Sequence, residues 1–211
     1  MSQASFLRML QQGALYFRNI PMYSQTDPFE GVYGWGKGYE QFIAFHKREC
    51  ERAGNGMHWQ TWTLMHFLDH EIERRKTYIS CWYMDEHESE AMWRLYCNNQ
   101  LDNAIAIRTT VGKLKAELFK ASLYNMYIGK VKYEKDFYWK SRHITPEIFF
   151  YKRKSFEYER ELRVAFQEKN QDLVFQNKQE AGKLAKVNLE NLIEEVRLSP
   201  FYKHEANYTE L

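Results

Sequence analysis

The amino-acid sequence predicts an α+β fold, in which helices flank a mixed and mainly antiparallel sheet within a single domain. Segments with helical and strand-like patterns alternate along most of the chain, and strand-like segments then follow one another near its end. This clustering favours α+β over a doubly wound α/β fold, because the latter alternates strands and helices throughout. A length of 211 residues also fits one large domain.

Helices are predicted where apolar residues recur on one face or where terminal signals occur. In the first helix, Phe6, Leu7 and Leu10 are spaced along one face, and Gly13 is placed to end it. The predicted helices are Ser2–Gly13, Tyr39–Ala53, Trp59–Arg75, Ser89–Tyr96, Gly112–Ser122 and Leu189–Val196.

Strands are predicted where β-branched and aromatic residues cluster. The clearest alternation in the chain runs over Phe156–Gln167. The other predicted strands are Leu15–Ile20, Lys76–Tyr83, Asn103–Thr110, Met126–Tyr133 and Ile148–Tyr151. Between them, Asp27-Pro28-Phe29-Glu30 predicts a turn, the glycine-containing segment 31–38 a loop, and the charged segment Glu168–Lys186 a mobile loop.

The composition argues against several classes of protein. The net charge of +2 and the pI of 8.3 are low for a nucleic-acid-binding domain, for which a pI above ~9 is typical. Three cysteines without close pairing predict reduced thiols and a cytoplasmic location rather than a disulfide framework. No stretch approaches ~18 apolar residues, so we expect no membrane partner.

The most site-like feature is a charged face on the strand predicted over Phe156–Gln167. Because alternate side chains share a face, Glu157, Glu159, Glu161 and Arg163 would line one side of it. Neighbouring carboxylates repel one another unless a cation or a ligand offsets them, and Arg163 can offset one. Two interpretations stay open: a carboxylate pair inside a cleft, tuned by burial and charge pairing, and a solvated strand face.

A second constellation joins Arg18, at the end of a predicted strand, to the acids of the following turn. An arginine in this place can bind a phosphate or pair with a carboxylate. The pattern favours an ion pair of Arg18 with Asp27 or with Glu30, which would hold the turn in place.

Two further constellations carry weaker signals. Ser80 or Cys81 at a strand end has the chemistry of a nucleophile, but no histidine is an obvious base for it. His66 and His70 share one helix face, as metal ligands sometimes do, but no cysteine pair completes a site. A packed or exposed histidine pair is the favoured interpretation.

Several separated segments form one pattern over nearly the whole chain: LYFRN (15–19), Asp27-Pro28-Phe29-Glu30, and residues 78–82, 92–96, 104–107, 154–163 and 192–200. Together these segments resemble the bacterial domain-of-unknown-function 2971 family. The sequence departs from the family pattern at three positions. Thr26 stands where the family usually has Asn, Asn103 where it usually has Gly, and Phe156 where it often has Trp.

The resemblance implies a bacterial effector of a phage-defence or toxin-type system. The order of elements is also similar to the ADP-ribosyltransferase fold, whose enzymes use NAD and place a glutamate on a late strand. Such a glutamate would stabilise an oxocarbenium-like transition state by its negative charge. The implied enzyme would modify nucleic acid or a nucleotide, with NAD as its cofactor and no metal ion.

The resemblance also implies roles for individual residues. Glu161 or Glu159 would be the catalytic carboxylate, and Arg18 would hold a diphosphate. Rings of the cofactor would stack on Tyr78, Trp82, Trp93 or Tyr96, and substrate or structural contacts would come from Tyr16, Asp27, Glu30, Lys154 and Arg163.

Two other hypotheses stay open. A non-catalytic sensing or protein-interaction domain, which would have a partner protein, predicts that the same residues form a closed ion-pair network without room for a ligand. A metal-dependent nuclease would use Asp27, Glu159 and Glu161 as oxygen ligands for Mg²⁺.

Overall fold

A computed structural model describes residues 1–54, 56–97, 100–121, 125–140, 146–168 and 180–202 of the protein. The predicted α+β class is confirmed. The α-helices are α1 (Gln3–Gln12), α2 (Gly38–Ala53), α3 (Trp59–Lys76), α4 (Glu90–Tyr96), α5 (Val111–Lys120) and α6 (Leu189–Leu192). The strands are β1 (Ala14–Asn19), β2 (Gly34–Trp35), β3 (Thr77–Tyr83), β4 (Ile105–Arg108), β5 (Met126–Lys130), β6 (Lys132–Glu134), β7 (Phe137–Tyr138), β8 (Tyr151–Arg153), β9 (Glu161–Gln167), β10 (Gly182–Lys186) and β11 (Glu195–Leu198).

The main sheet is antiparallel and has five strands in the order β10-β1-β3-β9-β5. Strand β9 pairs along its length with β3 on one side and β5 on the other. Three two-stranded sheets accompany it: β2 with β7 and β4 with β11 are antiparallel, and β6 with β8 is parallel. None of the helices in the described ranges is long and apolar enough to cross a membrane.

The chain divides into two compact units. The first unit comprises Met1–Leu15, Asp85–Ser122 and Leu184–Leu211, and the second unit comprises Tyr16–Met84 and Leu123–Lys183. The second unit contains a buried apolar cluster against one face of the main sheet. Its buried members are Ile20, Tyr33, Trp35, Phe42, Ile79, Phe137, Ile148, Phe149 and Ala165.

Helix α1 begins and ends where its sequence signals predict. The Ser2 side chain accepts a hydrogen bond from the Ser5 N–H at 3.2 Å, which satisfies one of the free amides of the first turn. Gly13 follows the helix with φ of 52°, in the left-handed conformation that favours glycine. Its N–H donates to the Leu10 carbonyl and closes the last turn.

Alanine substitution of two glycines should change stability in opposite directions. Gly13→Ala is expected to lower the free energy of unfolding by roughly 1 kcal/mol, because a Cβ disfavours the left-handed conformation. Gly112→Ala, in the first turn of α5, is expected to raise it by up to about 1 kcal/mol, because alanine favours helix. Near Gly112 a Cβ would meet no atom closer than 3.9 Å. Urea denaturation measures both changes, and equal signs would contradict the prediction.

The prediction of a strand over Phe156–Gln167 is wrong for the first half of that segment. Lys154–Glu159 forms a 3₁₀ helix, Arg160 is left-handed with φ of 40°, and β9 begins only at Glu161. A continuous strand would have aligned three glutamates on one face, with the repulsion that this entails. The 3₁₀ helix separates them, since Glu157 then faces solvent while Glu159 is buried.

Other differences concern short elements near the end of the chain. The strand predicted over Ile148–Tyr151 is mostly a 3₁₀ helix, and β8 begins at Tyr151. The helix predicted over Leu189–Val196 ends at Leu192, and β11 follows it. The loop predicted over Glu168–Lys186 contains β10, while residues 169–179 lie outside the described part of the chain. The segment predicted over Met126–Tyr133 forms two strands, β5 and β6.

Candidate functional site

A cluster of charged side chains is buried on one face of the main sheet in the second unit. Its members are Glu30, Lys152, Glu159, Glu161 and Arg163, and we call it the buried network. The position of the buried network on the sheet follows from the pairing of β9 with β3. Arg163 pairs with Cys81 across β3, and Glu161 with Tyr83, so both charged residues leave the sheet on the face that also carries Ile79 and Ala165 of the apolar cluster.

Arg163 is the centre of the buried network and is 0% exposed. Its Nε donates to Glu161 Oε1 at 2.7 Å and its Nη2 donates to Glu161 Oε2 at 3.1 Å. On the other side, Nη1 donates to Glu30 Oε1 at 2.7 Å and Nη2 to Glu30 Oε2 at 3.3 Å. Nη1 also donates to the Phe149 carbonyl. All five guanidinium N–H groups therefore have an acceptor.

Lys152 is the second cation of the buried network. Its ammonium donates to Glu159 Oε2 at 2.5 Å and to Glu161 Oε2 at 3.5 Å, and it lies 3.8 Å from Glu30 Oε2. The network thus sets three carboxylates against two cations and holds one formal negative charge in excess. Three carboxylates at this depth are tolerated only because each has a cation within hydrogen-bonding distance.

The pKa values of Glu159 and Glu161 are shifted in opposite directions. Burial opposes ionisation of Glu161, but the Arg163 guanidinium outweighs it and lowers the pKa of this carboxyl to about 2. Burial raises the pKa of Glu159, although Lys152 opposes the rise. The excess negative charge of the network is therefore relieved most easily by a proton on Glu159.

Two tyrosines and a thiol border the buried network. Burial raises the pKa of Cys81 well above its usual value, and the neighbouring Glu161 carboxylate raises it further. The Tyr23 hydroxyl lies 3.9 Å from the Cys81 sulfur. The Tyr133 hydroxyl accepts the Glu161 backbone N–H at 2.8 Å. Because the thiolate is the reactive form, a thiol in this environment is a poor nucleophile.

Asp27 has a different partner from the one that the sequence indicates. Arg153 donates to Asp27 Oδ1 at 2.8 Å, and the same oxygen accepts the Phe29 N–H at 3.0 Å, which forms the predicted turn. Arg18 instead donates to the Met22 carbonyl at 2.7 Å, and Glu30 pairs with Arg163. The predicted ion pair of Arg18 with Asp27 or Glu30 is therefore wrong, because arginines more than 100 residues further along the chain take both acids.

Tyr78 and Trp82, two of the aromatic residues predicted to stack on a cofactor, do not share a sheet face with Glu161. On β3, Tyr78 and Trp82 alternate with Cys81 and so lie on the sheet face opposite to Glu161. Tyr78 is buried and stacks on Phe166 with ring centroids 5.2 Å apart.

The remaining predicted residues are not members of the buried network. Trp93 and Tyr96 belong to the first unit, where Trp93 is buried in a small apolar cluster. Tyr16 is exposed on β1 and covers Gly182. Lys154 is exposed and pairs with Glu157 at 2.5 Å.

Beside the buried network the second unit has an open cleft of about 680 Å³. This volume lies within the range of roughly 300–1,000 Å³ that is typical of small-molecule sites. The cleft combines aromatic rings, two cations and one carboxylate. It is lined by Met84, Lys130, Tyr133, Glu157, Tyr158 and Arg160.

Sequence reasoning missed this cleft and also missed Lys152 as a member of the buried network. Lys152 stands in the run Lys152-Arg153-Lys154, which has the composition of a solvated surface and gives no sign of burial. Tyr133 comes from one segment and Tyr158 and Arg160 from another, and only the folded chain brings the two segments together. The one usable signal was the spacing of Glu161 and Arg163, which placed them correctly on one strand face.

His66 and His70, the histidines that the sequence places on one face of α3, have different neighbours. His70 packs against Tyr33 with ring centroids 4.0 Å apart, as expected for a packed residue. His66 instead lies 4.7 Å from His46, which the sequence did not single out. In the described part of the chain, no group of three or more His, Cys, Asp or Glu side chains is arranged to hold a metal ion.

Comparison of the chain with family models, with curated proteins and with solved structures gives no match. The resemblance to the domain-of-unknown-function 2971 family and to the ADP-ribosyltransferase fold therefore stays a prediction.

Proposed function

We propose that the protein is a non-catalytic sensing or interaction domain, in which the buried network is structural and the open cleft is the surface that binds a ligand. The observation that carries the proposal is the state of Glu161. Its side chain is 1% exposed, and both of its oxygens accept hydrogen bonds from Arg163. A carboxylate in this state has no free face to offer to a substrate.

The NAD-dependent transferase requires more of Glu161 than this geometry offers. A catalytic glutamate of that kind would contact a ribose hydroxyl and stabilise positive charge on the sugar. The negative charge of Glu161 already stabilises the guanidinium of Arg163. Arg163 in turn lowers the pKa of the Glu161 carboxyl to about 2. Glu159 offers no substitute, since it is buried and held by Lys152 at 2.5 Å.

The metal-dependent nuclease meets a similar obstacle. A Mg²⁺ ion bound by Asp27, Glu159 and Glu161 would have to displace a cation from each of them. Those cations are Arg153, Lys152 and Arg163, each within 2.8 Å of its acid. Their ion pairs support a structural interpretation of all three carboxylates. The resemblance adds the expectation that the domain acts in a bacterial phage-defence or toxin-type system.

The proposal is tested by incubating the purified protein with NAD and measuring nicotinamide release by chromatography. We expect no release above that of the heat-denatured protein. A parallel incubation with single-stranded and double-stranded nucleic acid and Mg²⁺ should give no cleavage that EDTA suppresses. Nicotinamide release that Glu161→Gln abolishes, with the fold retained by circular dichroism, would overturn the proposal in favour of the transferase.

The same variant also tests the structural role directly. Glu161→Gln is expected to lower the free energy of unfolding by about 3 kcal/mol, because a buried Arg163 loses part of its compensating charge. The matched control is Glu157→Gln, the same chemical change at an exposed position. We expect that control to change stability by less than ~1 kcal/mol. Equal effects of the two variants in urea denaturation would argue against a structural network.

A further inference from the structure

Strand β5 forms one edge of the main sheet. It is the last strand in the order β10-β1-β3-β9-β5, and within the described ranges it pairs with β9 alone. We propose that an extended segment of a partner protein adds to this edge as a further antiparallel strand. The inference names a partner class for the proposed interaction domain and so rests on that function.

The hydrogen-bonding pattern of the ladder identifies the backbone groups of β5 that point outward. The Val131 N–H, directly after the strand, donates to the Glu161 carbonyl at 2.9 Å, so the backbone groups of Val131 face β9. Because backbone groups alternate in direction along an antiparallel strand, those of Gly129 and Tyr127 face β9 as well. The residues whose N–H and C=O groups point away from β9 are therefore Met126, Ile128 and Lys130.

These outward groups have no partner in the part of the chain that the structure describes. No hydrogen bond there reaches the backbone N–H or C=O of Met126, Ile128 or Lys130. Such an edge is a template for another strand, because a second extended backbone matches the spacing of its donors and acceptors. Each of the three residues would donate one hydrogen bond to the added strand and accept one from it.

The edge is regular and has few of the features that keep edge strands from pairing. Its register with β9 runs without a bulge from Met126 opposite Phe166 to Lys130 opposite Leu162. Strand β5 contains no proline, and its single charged residue is Lys130 at its end. Charged side chains, prolines and bulges are the usual protection of edges that stay unpaired. The edge of β5 therefore offers its whole length to a partner strand.

The side chains of the outward residues define the sequence of the partner. Met126 and Ile128 are half-buried, while Lys130 is exposed and makes no ion pair within the described residues. All three lie on one face of the strand. Cross-strand neighbours of opposite charge attract each other, and apolar neighbours pack together. An antiparallel partner would therefore place an acid opposite Lys130 and then apolar residues opposite Ile128 and Met126, in the pattern acidic-x-apolar-x-apolar.

A second copy of the chain matches this edge less well than such a partner does. Antiparallel pairing of two β5 strands about Ile128 would place Lys130 of each copy opposite Met126 of the other. The lysine would gain no opposite charge there, and β5 has no acid to offer in any other register. Charge complementarity therefore favours a foreign strand that carries a carboxylate.

The test is titration of the full, isotope-labelled chain with the peptide acetyl-Ser-Glu-Thr-Val-Thr-Val-Ser-amide, followed by calorimetry and NMR. We expect saturable binding at millimolar peptide. Hydrogen exchange of the Ile128 amide should slow by about tenfold, while that of the Gly129 amide, which already faces β9, should change little. The peptide acetyl-Ser-Val-Thr-Val-Thr-Glu-Ser-amide has the same composition in reverse order and should bind about fivefold more weakly.

Modified peptides test the backbone hydrogen bonds. N-methylation of the first valine, opposite Ile128, removes a donor to the edge and should weaken binding about tenfold. N-methylation of the threonine that follows it is the matched control. Because the N–H of that threonine points away from the edge, binding should weaken by less than about twofold.

A charge reversal tests the choice of partner. Lys130→Glu should weaken binding of the acidic peptide about fivefold, and should favour instead a peptide with lysine in place of its glutamate. The matched control is Lys115→Glu, the same change at an exposed position of α5, which should alter neither affinity.

The outcomes separate this inference from the proposed function. Absence of binding at millimolar peptide, or binding that methylation of the first valine does not weaken, overturns the inference and leaves a non-catalytic domain intact. Concentration-dependent dimerisation that protects the Ile128 amide assigns the edge to a second copy and also overturns it. Peptide binding of the expected specificity, accompanied by nicotinamide release from NAD that Glu161→Gln abolishes, retains the edge as a binding surface and overturns the non-catalytic function.

Discussion

Replacement of Arg163 by methionine is expected to lower the free energy of unfolding by about 3–5 kcal/mol. The substitution removes one cation from the buried network and leaves Glu30 and Glu161 without their main partner. An unpaired carboxylate at this depth must either remain charged in an apolar environment or take up a proton, and both cost free energy. Urea denaturation at pH 7, followed by circular dichroism, measures the loss.

Two further variants make the Arg163 prediction specific. Lys154→Met removes the cation of an exposed ion pair, in which the Lys154 side chain is 54% exposed. It should therefore lower the free energy of unfolding by less than ~1 kcal/mol. The triple variant Glu30→Gln, Glu161→Gln, Arg163→Met removes the stranded charges as well, and should recover a large part of the stability that Arg163→Met alone loses. If Arg163→Met loses no more stability than Lys154→Met, the buried network does not have the structural role assigned to it.

Acidification from pH 7 to pH 5 is expected to lower the free energy of unfolding by about 2 kcal/mol for each of two buried histidines. His46 and His70 are 1% and 4% exposed. Neither ring nitrogen of His46, nor Nε2 of His70, has a hydrogen-bond partner within the described residues. Burial, with His66 close by, lowers the pKa of His46 to about 4, and burial, with Arg74 close by, lowers the pKa of His70 to about 3.

The direction of this pH effect follows from the lowered pKa values. Above a pH of about 6.5, histidine is neutral in both the folded and the unfolded chain, and stability is at its full value. Between that pH and the folded-state pKa the unfolded chain binds a proton that the folded chain does not bind, so stability falls as the pH falls. The Glu161 carboxyl, with a pKa of about 2, contributes to acid unfolding only at lower pH.

The acid effect is measured by urea denaturation at half-unit steps between pH 7 and pH 5. His46→Gln, which stays neutral throughout, should reduce the pH dependence by about half, whatever its cost in stability at pH 7. The matched control is His87→Gln, at an exposed position, which should leave the slope as it is. An unchanged slope in His46→Gln would show that His46 does not titrate in the predicted manner.

Local signals in the sequence were sufficient for most helices and for the long strands. Ser2 and Gly13 carry the information for both ends of α1 in their own side chains and backbone preferences, so its bounds were predicted closely. Strand β11 was missed because it has only four residues and begins three positions after the short helix α6. Only its pairing with β4, about 90 residues earlier in the chain, makes it a strand.

Only the part of the candidate site that lies on one strand could be predicted from the sequence. The spacing of Glu161 and Arg163 correctly placed them on one face of β9. Their burial and their partners come from long-range contacts, since Glu30 lies 133 positions before Arg163. The error over Arg18 has the same cause, because the cation that takes Asp27 is Arg153, 126 positions away. A local pattern cannot choose among several arginines at such separations.

The two faces of β9 together determine how the main sheet can be assembled. Leu162, Val164 and Phe166 are buried on one face, while Glu161 and Arg163 are buried on the other. In a strand that is apolar on both faces, a shift of one residue against β3 would exchange one apolar set for another at little cost. In β9 the same shift would send the charged side chains into the apolar layer and would leave Lys152 facing a leucine or a valine. The ion pairs therefore specify the register, so that β9, although it is buried on both faces, has a single alignment with β3.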